Sequence, residues 1–84
     1  MKKYYVGLFV NEVEDDEKLI CVVESEEECI KRIIEWDKKE EKNKERSGYG
    51  ISLRKELEKN SSCFWEVGIF GDWNGYKILS KEEE

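Results

Sequence analysis

Ser25-Glu26-Glu27-Glu28-Cys29-Ile30-Lys31-Arg32-Ile33-Ile34 is the stretch on which the fold turns. A serine with a glutamate three places later is a capping box: the Ser25 oxygen accepts from the Glu28 amide, and the Glu28 carboxylate reaches back to the Ser25 amide. Acidic residues at 26, 27 and 28 also suit the positive end of a helix dipole. Cys29, Ile30, Ile33 and Ile34 then share one helical stripe, wide enough to cover a sheet face. Trp36 stands off its centre. From Asp37 to Arg46 no residue is core-facing. The helix can continue there only on pairs such as Glu35–Lys39 and Glu40–Lys44, each worth about 0.2–0.5 kcal/mol. Gly48 is its expected stop.

Toward the N-terminus, Lys3–Asn11 reads as a strand, with Tyr4, Val6, Leu8 and Val10 on one face and Tyr5, Gly7 and Phe9 on the other. Apolar groups on both faces make it a central strand. The acidic run Glu12–Glu17 breaks it at a turn, and Lys18–Glu24 forms a second two-sided strand. Toward the C-terminus, Tyr49, Ile51, Leu53 and Leu57 read as a strand with one wet face. Lys59-Asn60-Ser61-Ser62 is a turn. Cys63, Trp65, Val67 and Ile69 then alternate with Phe64, Glu66, Gly68 and Phe70. Gly71-Asp72-Trp73-Asn74-Gly75 is a second turn, and Tyr76–Ser80 a short last strand.

The expected fold is α+β and two-layered: an antiparallel sheet of about five strands, in the order β-β-α-β-β-β, with one long helix packed on one face. Residues 1–80 form a single domain and 81–84 an acidic tail, of which Glu82-Glu83-Glu84 is expected to fray.

Composition narrows the chemistry. Ala, Thr, Gln, His and Pro are all absent, so each apolar position brings a large side chain to the core. Charged residues reach 43%, but aromatics at 12% argue for a packed core over disorder. Without His there is no imidazole base, no His metal ligand and no switch near neutral pH. The cysteines at 21, 29 and 63 are odd in number with no Cys-x-x-Cys spacing, which fits neither a disulfide framework nor a zinc site. They read as buried thiols of a reduced, cytoplasmic protein. No nucleophile–base pair, glycine-rich phosphate loop or cofactor fingerprint stands out, so no catalytic residue, cofactor or metal is expected. The oxygen-rich run Asn11–Glu17 lacks EF-hand spacing and reads as a solvated turn. No apolar stretch is long enough to span a membrane, and the N-terminal residues lack a signal-peptide core.

The net charge of −6 disfavours direct contact with nucleic acid or an anionic membrane. Its distribution is more informative than its size. Residues 12–28 hold nine acids against the single base Lys18, net −8, whereas 31–46 are net +2. The acids form two groups flanking the second strand, roughly 20 Å apart at about 3.3 Å per residue. A rigid acidic pair of this kind can meet a basic groove. Trp73, set among turn residues, is an interface anchor or a plug for the sheet end. Tyr4, Tyr5, Phe9, Phe64 and Phe70 raise the question of what covers the face away from the helix.

The expected activity is therefore non-enzymatic binding of a basic protein surface, of the inhibitor or immunity type that small acidic phage and mobile-element proteins exemplify. Glu12, Glu14, Asp15, Asp16, Glu17, Glu24, Tyr49, Asp72, Trp73, Asn74 and Tyr76 are the candidate contact residues. The alternatives are a small-molecule pocket against Trp65, Trp73 or Tyr49, and a structural subunit that dimerises or builds a larger homo-oligomer through its second face.

Overall fold

A computed structural model describes residues 2–12, 14–39, 53–67 and 71–83. The elements run β1 (Lys2–Asn11), β2 (Asp16–Val23), α1 (Glu26–Lys39), α2 (Leu53–Asn60), β3 (Ser62–Val67) and β4 (Asp72–Glu83). The four strands form one sheet in the order β2-β1-β4-β3, and each neighbouring pair is antiparallel. The α+β class and the antiparallel sheet agree with the sequence reading, and β1 is central. The strand count and the single helix do not.

The correction falls at two places. Leu53–Asn60 is a helix, where alternation suggested a strand. Lys55 sits where a strand face would need another apolar residue, while Leu53 and Leu57 are four apart, the spacing of one helix face. Leu57 is fully buried and Leu53 packs against the core. The turn expected at 59–62 shrinks to Ser61, whose φ of 57° ends α2 in the left-handed region. The Ser61 amide donates to the Leu57 carbonyl at 2.9 Å, and its own carbonyl accepts from the Ile78 amide at 2.8 Å. Tyr49, Ile51, Gly48 and the helical extension through Arg46 lie outside the described residues.

The second correction is β4. Residues 72–75, expected as a turn, are strand, and the pairing continues beyond Ser80 through Glu83. Turn residues are overridden here because β4 lies between two partners: Asn74 faces Asn11 on β1 and Trp65 on β3. At the far end Lys81 and Glu82 stand opposite Tyr4 and Lys3, so the expected fraying tail is paired, with opposite charges facing across one rung. Gly71, immediately before β4, has a φ of 76°, which suits glycine.

α1 is built as its sequence requires, with one difference. The Glu28 amide donates to Ser25 Oγ at 3.1 Å, but the Glu28 carboxylate accepts from Arg32 Nε at 3.1 Å instead of turning back. Cys29, Ile30 and Ile33 are buried against the sheet, with Ile34 and Trp36 at the margin. They meet Leu57, Cys63, Trp65, Tyr76 and Ile78 in one core. Tyr76 is its centre: fully buried, 5.5 Å ring-to-ring from both Phe9 and Trp65, with its hydroxyl donating to Asp37 Oδ1 at 2.9 Å. Between Gly7/Leu8 and Cys21/Leu19 the register slips by one residue. This bulge lets Ile20 and Cys21 both pack on the core and turns Leu19 outward.

Candidate functional site: the open face of the sheet

Strand side chains alternate, so one parity of each strand faces the helices and the other faces away. Register then fixes what the second face displays. Val22, Val6 and Leu79 form one row, Leu19, Leu8 and Lys77 the next, and Val10, Gly75 and Phe64 a third. Trp73, beside Glu66, closes the end. The exposed large hydrophobics among the described residues are Leu19 (60%), Val22 (55%), Trp73 (41%), Phe64 (39%) and Leu79 (38%), and all five lie on this face. A contiguous apolar sheet face is the usual mark of an interaction surface. Lys77, the cation in the middle, is neutralised by Glu17 at 2.9 Å.

The acidic turn sits at the Trp73 end. Its backbone is held to β4 by the Glu12 amide, which donates to the Trp73 carbonyl at 3.1 Å. The turn itself is tied by the Glu14 amide to Asn11 Oδ1 at 3.2 Å and the Asp15 amide to the Glu12 carbonyl at 3.2 Å, with Asp15 at a φ of 51°. Aspartate tolerates that left-handed conformation better than most residues. Asp16 and Glu17 already belong to β2. Glu12, Glu14, Asp15 and Asp16 are exposed and form no ion pair among the described residues.

The acids at the other end of β2, about 23 Å away at roughly 3.3 Å per residue, have structural partners. Glu27 accepts from Arg54 Nη1 at 2.9 Å, joining α1 to α2, and Glu28 holds Arg32. Glu24 is exposed and, with Lys2, Lys3, Tyr4, Val22 and Val23, lines a groove of about 440 Å³. The two acidic groups therefore differ in kind, and Glu24 does not join the turn.

The remaining candidates separate clearly. Trp73 is an exposed strand residue, not a plug or a turn tip. Asp72 begins β4 and is half-buried. Asn74 points to the helix side, with Oδ1 buried and without a hydrogen-bond partner among the described residues. Tyr76, expected at a contact surface, is instead fully buried. Tyr49 and Phe70 lie outside the described residues. Trp65 and Trp73 occupy opposite faces, because neighbouring Glu66 and Trp73 share a rung, so they do not line one pocket. Tyr5 and Phe9 pack on the core side, whereas Tyr4 and Phe64 belong to the open face. Sequence reasoning did not assemble Leu19, Val22 and Leu79 into this site. Their two-sided strands were visible, but the register that joins them was not.

Among the described residues no group of three or more His, Cys, Asp or Glu side chains could hold a metal ion, and no helix is long and apolar enough to cross a membrane. Comparison with family models, curated proteins and solved structures finds no match, so the site is read from this chain's own residues.

Cys21, Cys29 and Cys63 form no disulfide. Burial pushes Cys29 up from the ordinary 9.0 to about 12, with neighbouring Cys21 adding to the effect. The fold thus favours the neutral thiol. Its contribution is complete below pH 9.0 and is lost as pH rises toward about 12. Denaturant titrations across that window are expected to show stability falling by up to about 1.4 kcal/mol per pH unit, and the Cys29→Ala chain a shallower slope. Equal slopes would remove Cys29 as the cause.

Proposed function

We propose that the protein is a non-enzymatic, inhibitor-type binding module whose open sheet face seats on a basic protein surface. The observation that carries this is the Glu12–Trp73 backbone hydrogen bond, which fixes an exposed acidic turn against the exposed, aromatic end of an apolar face. The complementary partner presents an apolar patch bordered by Lys and Arg side chains. Trp73 and Phe64 supply the large, stiff contacts that anchor interfaces. Glu12, Glu14, Asp15 and Asp16 steer the encounter and make it salt-sensitive, contributing more to on-rate than to residence time.

The two roles are separable by kinetics. A partner is recovered by cross-linking at low salt, purified, and bound to immobilised chain. The variant Glu14→Gln/Asp15→Asn/Asp16→Asn is expected to slow association about tenfold with little change in dissociation. Trp73→Ser is expected to speed dissociation about thirtyfold or more, in keeping with the roughly 2 kcal/mol or more that separates an anchor from its neighbours. An acidic partner, or kinetics indifferent to both variants, would overturn the reading. So would a chain that sediments as a dimer and is made monomeric by Val22→Lys, since a second copy would then occupy the face.

A further inference from the structure

Beneath α1, Gly7 of β1 is the floor of a small space into which two sulfurs project. A Cβ built on Gly7 would lie 3.0 Å from Cys21 Sγ and 3.1 Å from Cys29 Sγ. Cys21 comes from the edge strand β2 and Cys29 from the first turns of α1, and their sulfurs are 3.7 Å apart. A disulfide needs about 2.05 Å, so about 1.7 Å of approach, shared between two rotatable side chains, closes the bond. The missing side chain at position 7 leaves the room for it. The two differ in access: Cys21 is half-buried, whereas Cys29 is sealed from solvent.

We infer that Cys21 and Cys29 are a reversible dithiol–disulfide site, oxidised by a small peroxide. The Cys21 thiolate attacks one oxygen of hydrogen peroxide, the O–O bond breaks, and the departing hydroxide takes a proton to leave as water. Cys21 is then a sulfenic acid. The Cys29 sulfur attacks that sulfur, expelling hydroxide, which departs as water with the Cys29 proton. Two thiols have lost two electrons and one peroxide has become two waters. Access sets the order: only Cys21 can be reached first, and Cys29, already in contact with it, resolves. The product staples the N-terminal part of α1 to β2 across an eight-residue separation, which raises the denaturant midpoint of the oxidised chain. Added dithiol reverses it.

The test treats the folded chain with hydrogen peroxide and measures intact mass, followed by peptide mapping. The expected product is lighter by about 2 Da, carries a Cys21–Cys29 cross-linked peptide, leaves Cys63 as a thiol, and regains its mass with dithiothreitol. The Cys29→Ser chain is expected to accumulate a Cys21 sulfenic acid that dimedone traps, and Cys21→Ser to resist oxidation at Cys29. Cys21 ending as sulfinic or sulfonic acid in the unmutated chain, a cross-link to Cys63, or no reaction at either thiol would each overturn the assignment. So would an oxidised chain that unfolds at a lower denaturant concentration than the reduced one.

Discussion

Tyr76→Ala is expected to cost about 3–5 kcal/mol, the range for removing a large buried aromatic side chain. At roughly 0.05–0.15 kcal/mol per residue, 84 residues hold about 4–13 kcal/mol in total, so the variant loses at least about a quarter of its stability and at the low end of that range unfolds. Tyr76 has no exposed surface, touches Phe9 and Trp65 through its ring, and is the point where β4 meets both β1 and β3. Truncation leaves a cavity at the middle of the core and removes the hydroxyl that donates to Asp37. Tyr76→Phe separates the two contributions: it keeps the ring and is expected to cost about 1 kcal/mol for the lost hydrogen bond. Urea titration of the pair, beside Trp73→Ser, gives the comparison that matters. Trp73 is on the open face, so its replacement is expected to shift stability by less than about 1 kcal/mol. A Trp73 variant as unstable as Tyr76→Ala would mean that the open face is not open.

Gly75→Ala is expected to destabilise by about 1–3 kcal/mol or more, the range for forcing atoms into filled space, although alanine suits a strand better than glycine in the abstract. A Cβ at this position meets the Cys63 carbonyl oxygen and the ring of Phe64. The ring can turn, but the carbonyl belongs to the β3 backbone and cannot yield without moving the strand. The substitution therefore acts twice, opening the β3–β4 pairing and lifting Phe64 off the face proposed to bind. A midpoint unchanged by Gly75→Ala would show that the close approach of the two strands is relieved in solution.

Much of the fold was legible from local chemistry. Ser25 and the stripe from Cys29 to Ile34 specify where a helix begins and which side it buries, because both depend on residues within a few turns of one another. β1 is recognisable as a strand with two apolar faces since Tyr5 and Phe9 oppose Val6 and Leu8, but β2 is two-sided as well, and only the pairing makes the first central and the second an edge. The acidic turn was also visible, and its place in a hairpin follows from the strands on either side. In Leu53–Asn60 the two leucines satisfy either period over so short a run, and only Lys55 at the intervening strand position favours the helix that the structure shows.

What the sequence by itself determined is the set of elements with strong local signals, the charge layout, and the absence of imidazole chemistry. The tertiary structure alone decided parity. Whether Trp73 points out and Tyr76 in depends on the register of β4 against β1 and β3, which are distant in the chain, and a slip of one residue would exchange them. The same non-local pairing made a strand of Asp72–Gly75 despite its turn residues and aligned Leu79 with Leu19 and Val22 in one face, whereas the β1–β2 register and the packing of α1 brought Cys21 to Cys29 over Gly7. Local propensity sets which conformations a segment can adopt; a sheet selects among them by the hydrogen bonds and burial that its neighbours supply.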